Sequence, residues 1–392
     1  MITEPRNILI TGGRAPVALE LARLFKAAGH RVYTAESARY HLCRVSSAVE
    51  ASFRVPSPRH EPQAYVRRLA ALAAELKIDL LVPTCEEIFY IAAGLDQFTG
   101  CRVLSAERRV LAGLHHKGEF IAMARSFGLA VPDTELLSSA AEWRQAVEQA
   151  DMNGGQRVYK PAYSRFASRV IMPGKPVPPP AEISAAAPWV SQEYIQGKAL
   201  CTYSIVHEGT VVAHAAYDSR YRTGRSGASV YFKPLEHPTA LEWVRRFAGA
   251  SGFSGQISFD FIEAANATLY PIECNPRATS GIHLFAPEDG LTEALLNPGL
   301  LVQSGTIIVP RSSRTAMLTI PMLGCGLKPG SGGLRSWRKA WRGATDVIFR
   351  KDDLRPVLEQ FRVVYAALRT AGKHHISLTE ALTEDIEWNG EA

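Results

Sequence analysis

ISFDFIEAANATLYPIECNPR, residues 257–277, is the stretch whose reading decides the fold. Two runs, residues 255–263 and 268–274, alternate apolar and polar around a short link at 264–267, the pattern of two strands joined as a hairpin. Period two puts Ser258, Asp260 and Ile262 on one face of the first strand, and Glu273 and Asn275 on one face of the second. Paired, the strands bring one carboxylate each, plus the Asn275 amide oxygen, toward one point. An aspartate between Phe259 and Phe261 is costly to bury without a partner. Three hard oxygens are the donor set of an octahedral cation, Mg2+ or Mn2+, beside phosphates. Arg277 would place a fixed cation where transferring phosphoryl oxygens gather charge. The bland alternative is a hairpin with exposed acids and a capping arginine; the cost of burying Asp260 favours the metal.

Outward toward the N-terminus, residues 7–11 (NILIT) form an apolar burst that ends at Gly12-Gly13. A helical period over 15–28 and a second strand (RVYT, 31–34) follow. Strand, tight turn, helix and strand open a doubly wound parallel sheet. A helix over 62–76 leads to a buried strand (LLVP, 80–83) and to another helix near 87–95. Ligands of such sheets sit beyond the carboxyl ends of the strands, so Gly12, Gly13 and the turn 84–87 are expected to face the cleft. The turn is not GxGxxG, and Glu36 is poorly placed as a ribose acid, which counts against a dinucleotide-dependent oxidoreductase.

Lys117 precedes a helix over 119–127, Trp143 lies on another, and residues 157–161 form a strand that ends Lys160-Pro161. A proline-dense connector, 173–188, reads as a surface loop. Strands are expected over 189–194, 202–207 and 210–216, the last two joined by His207-Glu208-Gly209, and a helix over 241–250. Beyond Arg311 come a strand over 316–321, a glycine-rich turn and basic-apolar helices.

The spacing D-F-I…I-E-C-N-P-R resembles the magnesium signature of the ATP-grasp superfamily, on its carbamoyl-phosphate-synthetase-like, carboxylate–amine ligase side. The likeness covers roughly residues 6–310, four separated elements recurring in order. It implies an α/β chain, α+β in the ATP-binding lobes. An N-terminal Rossmann-like parallel-sheet domain (1–112) would precede a two-lobed ATP-grasp domain (113–310; lobes 113–190 and 198–310, hinge 191–197) and a small C-terminal lobe (311–392). It further implies that Asp260, Glu273 and Asn275 hold the metal, and that Lys117 and Lys160 contact the ATP phosphates. Gln192, Glu193, Tyr194 and Ile195 would form the hinge that reads adenine, with Lys160, Arg277 and Arg225 serving the reaction. Arg222, Ser280, Gly281 and Glu86 are candidate substrate contacts, and Glu86 or Glu87 could hold an ammonium group, although an acid at a helix N-terminus explains either equally well. The arginines of the loop 217–229 suit a carboxylate or phosphate clamp; the plain alternative is a solvated basic loop. His214 is expected to be a satisfied strand histidine, while the segment 280–284 around His283 could line the substrate pocket.

Two departures stand out. Tyr163-Ser164-Arg165-Phe166-Ala167-Ser168 replaces the family's glycine-rich phosphate loop, and Gly197-Lys198-Ala199 lacks the acid of G-x-E that holds the ribose.

The implied reaction is ATP- and magnesium-dependent: a small carboxylate becomes an acyl phosphate and passes to an amine, releasing ADP and phosphate. The alternatives are a thiol or hydroxyl acceptor, or a non-catalytic ATP-binding regulatory protein; both lysines and the complete D…E-x-N-P-R set speak against the latter. The 392 residues, 46% apolar and 21% charged, suit a soluble globular chain. No run approaches a membrane span, no signal-peptide pattern opens the chain, and a cytoplasmic location is expected. Six scattered cysteines read as reduced thiols. The net charge of +6 comes with no nucleic-acid motif and suits anionic substrates such as ATP. A homodimer is a possible assembly.

Overall fold

The architecture comes from a computed structural model that describes residues 4–152, 154–163, 169–174, 178–222, 229–325 and 333–390. Arg225 and the 164–168 loop lie outside them. The first sheet is parallel, in the order β3-β2-β1-β4-β5, built from β1 (Asn7–Thr11), β2 (Arg31–Glu36), β3 (Ala51–Arg54), β4 (Leu80–Val82) and β5 (Arg102–Val103). Helix Pro16–Ala27 starts with proline in its first turn, where no N–H is missed, and buries Leu19, Leu21 and Phe25. Gly12 has φ +70, and a Cβ there would lie 2.4 Å from the Thr84 hydroxyl, so the turn after β1 requires glycine.

An antiparallel three-stranded sheet, β6-β8-β7, follows, from β6 (Thr134–Leu137), β7 (Arg157–Pro161) and β8 (Trp189–Glu193). The third sheet runs β13-β12-β9-β10-β11-β14-β15, from β9 (Gly197–His207), β10 (Thr210–Asp218), β11 (Tyr231–Leu235), β12 (Gly255–Ala264), β13 (Leu269–Asn275), β14 (Thr315–Met317) and β15 (Ala344–Asp346). Its strands are antiparallel except for β14 and β15, which pair in parallel. The β9–β10 hairpin turns on Glu208 and Gly209, both at positive φ, as the His-Glu-Gly link predicts. Over 316–321 the expectation was a single strand; β14 ends at Met317, and a helix, Thr319–Cys325, begins with the Asp346 carboxylate accepting from the Thr319 N–H. That anchor comes from 27 residues away and is invisible to local periodicity.

Phe259 and Phe261 turn to the far face of β12, fully buried with Phe120, Trp243 and Phe247. Burying each phenylalanine contributes on the order of 2 kcal/mol and fixes which face of β12 meets the cleft. Among the described residues no helix is long and apolar enough to cross a membrane, and the six cysteines are free thiols.

Candidate active site

β12 and β13 pair in register, with Ser258 opposite Asn275 and Asp260 opposite Glu273, and an irregularity follows Asp260. The alternation read from residues 257–277 is therefore realised: Asp260, Glu273 and Asn275 share one patch. Asp260 is half-buried; loss of water contact, and then the facing Glu273 carboxylate, push its carboxyl above the usual range, against the pull of Arg222 and Arg277. Two facing carboxylates, with that of Asp260 raised, and an amide oxygen alongside are what a divalent cation relieves, so the donor set fits magnesium. Arg277 Nη2 donates to Asn275 Oδ1 at 3.0 Å and lies 3.6 Å from Glu86 Oε1, so this guanidinium orients the amide while tethered to the turn after β4.

The two lysines meet across a sewn seam. Phe120, stacked on Phe259 at 5.7 Å, docks helix Lys117–Ser126 against β12, and the Lys117 N–H donates to the Ala162 carbonyl just past β7. The His116 Nδ1 accepts from the Glu119 N–H at that helix start, and burial lowers its imidazole, in keeping with a neutral acceptor. Lys117 is buried, with Nζ 3.9 Å from Glu273 Oε1. Lys160 is buried on β7 and donates to Gln192 Oε1 at 2.9 Å and to the Ile272 carbonyl at 2.8 Å. Burial, and then Lys117, lower its ammonium from 10.5 to about 8, while Glu273 and Asp260 oppose the change. Two desolvated ammonium groups beside two carboxylates form a receptor for a polyanion that carries its own cation.

Gln192 thus holds Lys160 and donates to the Thr134 hydroxyl rather than facing open space. Glu193 is exposed; its backbone N–H donates to the Asp133 carbonyl, and its carboxylate accepts from the Asp133 N–H at 3.1 Å. Tyr194 and Ile195 are half-buried between β8 and β9. Gly197 opens β9 because a Cβ there would lie 2.1 Å from the Glu263 carbonyl. Arg222 folds back on the Ser219 carbonyl and hydroxyl within electrostatic reach of Asp260. Burial, and then Asp260, push the Cys201 thiol well up, so it stays protonated and is no nucleophile.

The remaining candidates fall in differing places. Ser280 is half-buried, whereas Gly281 is buried with no room for a Cβ against Tyr203. His283 is buried and turned toward the N-terminal helix: it reaches Glu20 of helix Pro16–Ala27 at 3.3 Å, with Phe232 stacked on its ring. His214 lies on β10, with Nδ1 2.9 Å from the Ser204 hydroxyl and burial lowering it to about 4; it is only half satisfied, because its buried Nε2 has no hydrogen-bond partner among the described residues. Glu86 is fully buried beside Arg277, and Glu87 accepts from the Thr11 hydroxyl and the N–H groups of Thr84 and Cys85.

Sequence reasoning missed the C-terminal residues 382–388. They lie over the carboxyl ends of the parallel strands, where the glycine turn was expected to face a ligand. Arg14 binds Asp385 through Nη1 (2.6 Å) and Nη2 (2.8 Å) and also meets Glu36. The Trp388 N–H donates to Glu86 Oε2, and its indole stacks on Phe89 at 4.3 Å and meets Tyr163 edge-on. The one signal was Trp388 itself, a large aromatic in a tail rich in acidic and polar residues.

Neither a protein-family model nor a curated protein sequence matches the chain. Solved structures do match in fold. L-amino acid ligase from Bacillus licheniformis aligns with a TM-score of 0.52 at 15% identity, over 71% of this chain and 68% of that one. N5-carboxyaminoimidazole synthetase from Staphylococcus aureus aligns at 0.55 and 14%, over 74% and 77%. The biotin carboxylase domain dimer of Hydrogenobacter thermophilus 2-oxoglutarate carboxylase, solved with MgADP and bicarbonate, aligns at 0.54 and 14%, over 71% and 65%. Together with the mixed parallel and antiparallel sheets, these matches give the chain the ATP-grasp fold that residues 257–277 led us to expect.

Proposed function

We propose that the chain is an ADP-forming carboxylate–amine ligase that uses ATP and magnesium. The observation that carries this reading is the facing pair Asp260–Glu273, with Asn275 alongside, set against the buried lysines Lys117 and Lys160. Asp260, Glu273 and Asn275 would hold the metal, which would supply charge withdrawal from the reacting phosphates. Lys117 and Lys160 neutralise the triphosphate from two sides, and Arg277, with Arg222 and Arg225, meets the charge of the transferring phosphoryl group. The hinge 192–195 offers backbone groups to adenine. A carboxylate oxygen of the substrate attacks the γ-phosphorus as the bond to ADP breaks. An amine nitrogen then attacks the acyl carbon, phosphate leaves, and the ammonium proton passes to solvent. No enzymic nucleophile is needed; catalysis is positioning and charge neutralisation.

The division at 112, 190, 197 and 310 belongs to the same reading: an N-terminal domain, two grasping lobes and a closing lobe. The solved structures of similar fold support the class, since one acts as an amino acid ligase and another was solved with MgADP. They favour an amino acid or a similar small acid as the substrate.

The test is ADP release with ATP, magnesium and pooled small carboxylates, with hydroxylamine as the trapping amine. Hydroxamate in step with ADP supports the ligase and names its acid. ATP binding with neither product from any pool would favour the regulatory reading.

A further inference from the structure

Among the described residues, helix Arg355–His374 is held on the protein by one side only. Pro356, Glu359 and Ala367 are buried, and Glu359 meets Arg44 of the N-terminal domain at 3.3 Å. The opposite side carries Leu354, just before the helix, then Leu358, Phe361, Tyr365 and Leu368, which are 52, 71, 61, 63 and 54% exposed. Their spacing, four-three-four-three, is a strict seam with two apolar positions in seven, the pattern of a helix that packs on another helix. A lipid surface calls for a wider apolar face.

The seam is nearly palindromic about Phe361. Leu354 and Leu368 stand seven residues to either side, and Leu358 and Tyr365 stand three and four residues away. An antiparallel copy related by a two-fold axis at Phe361 therefore sets Leu354 against Leu368, Leu358 against Tyr365, and Phe361 against itself. Covering the exposed parts of five such side chains removes roughly 600 Å2 from each copy, or roughly 1,200 Å2 in all, the lower end of a standard-size interface.

One flank of the seam carries a single arginine per heptad, Arg355, Arg362 and Arg369. Of these, Arg362 is matched by Glu359 at 3.2 Å. In an antiparallel pair like flanks face each other, so these rows repel weakly across the interface.

We propose that this seam is where a second copy of the chain docks, with the two Arg355–His374 helices crossing antiparallel at Phe361. The apolar seam drives the association and the arginine rows oppose it. Salt therefore tightens the dimer, the reverse of what an acid-flanked partner helix or an anionic membrane would show.

Sedimentation equilibrium of the full chain under reducing conditions, from about 1 to 100 µM and at two salt concentrations, tests this. The expected result is a reversible dimer that tightens as salt rises. Leu358→Glu and Phe361→Glu should each weaken it by about 100-fold or more while leaving the thermal melt unchanged, since both side chains are exposed. Tyr365→Glu is the second probe, should either variant melt early. A monomer at every concentration, or a dimer indifferent to all three substitutions, overturns the proposal. So does a dimer that loosens with salt. Binding of the chain to phosphatidylserine vesicles that Leu358→Glu abolishes overturns it in favour of a lipid surface.

Discussion

Lys160 offers a quantitative test of the phosphate site. Its ammonium sits buried between the Gln192 amide and the Ile272 carbonyl, and burial followed by the neighbouring Lys117 holds it near 8 rather than 10.5. The sign is that of a depressed cation: keeping Lys160 charged costs the fold about 3 kcal/mol below pH 8, and that cost fades as pH rises through 8. A triphosphate supplies the missing counter-charge and returns the amine toward its ordinary value. Nucleotide binding should then take up about 0.1 proton at pH 7, about 0.5 at pH 8 and about 0.9 at pH 9, and affinity should fall about tenfold from pH 7 to 9. Titration calorimetry of MgADP in buffers of different ionisation enthalpy reads the uptake directly. Lys160→Met should abolish that uptake and weaken binding. Its effect on the unliganded melt should be small, because relief of the buried charge is offset by about 1–3 kcal/mol from the orphaned Gln192 and Ile272 oxygens. Equal proton uptake in wild type and Lys160→Met at pH 8, or none in either, would refute this placement of the phosphates.

Three further outcomes are expected. Glu273→Gln keeps the melt within a few degrees and lowers ADP formation by more than about 100-fold, because one metal donor is lost; wild-type turnover in that variant sinks the metal assignment. Lys160→Ala weakens MgADP binding far more than Arg342→Ala, which alters a basic helix outside the site, so equal losses in binding assays would move the phosphate site elsewhere. Burial would raise Glu36, but Arg14 overrides it and holds the carboxyl near 2 instead of 4.5, so its contribution is present above pH 4.5 and is lost as pH falls toward 2. Denaturant unfolding of Arg14→Met should therefore show a loss of about 3–5 kcal/mol at pH 7 that narrows between pH 4.5 and 2, whereas a pH-independent loss would deny the pairing.

The sequence carried most of what strand periodicity can encode. Asp260 between two phenylalanines announced both the buried face of β12 and the polar face opposite, and the register then had only one way to bring in Glu273. The strand that carries Lys160 was legible because a strand ending in Lys-Pro is short and sharply bounded. What escaped was long-range. Nothing near Gly12 indicates that Asp385 will occupy the mouth of that turn, and nothing near His283 indicates that Glu20, 263 residues earlier, will hold it inward. The first turn of the helix Thr319–Cys325, residues 319–321, was read as strand because its anchor, Asp346, is supplied by β15. Gly197 looked like the remnant of a ribose-binding motif; its close approach to Glu263 gives it a separate, structural reason to be glycine.

The most direct measurement of the central claim is oxygen transfer. The acid identified by hydroxamate trapping would be labelled with 18O in its carboxylate and turned over with ATP, magnesium and its amine, and the inorganic phosphate analysed by mass spectrometry. Activation through an acyl phosphate predicts one 18O atom in each phosphate released, because the attacking carboxylate oxygen leaves with the phosphorus. Unlabelled phosphate alongside formation of the amide would contradict it.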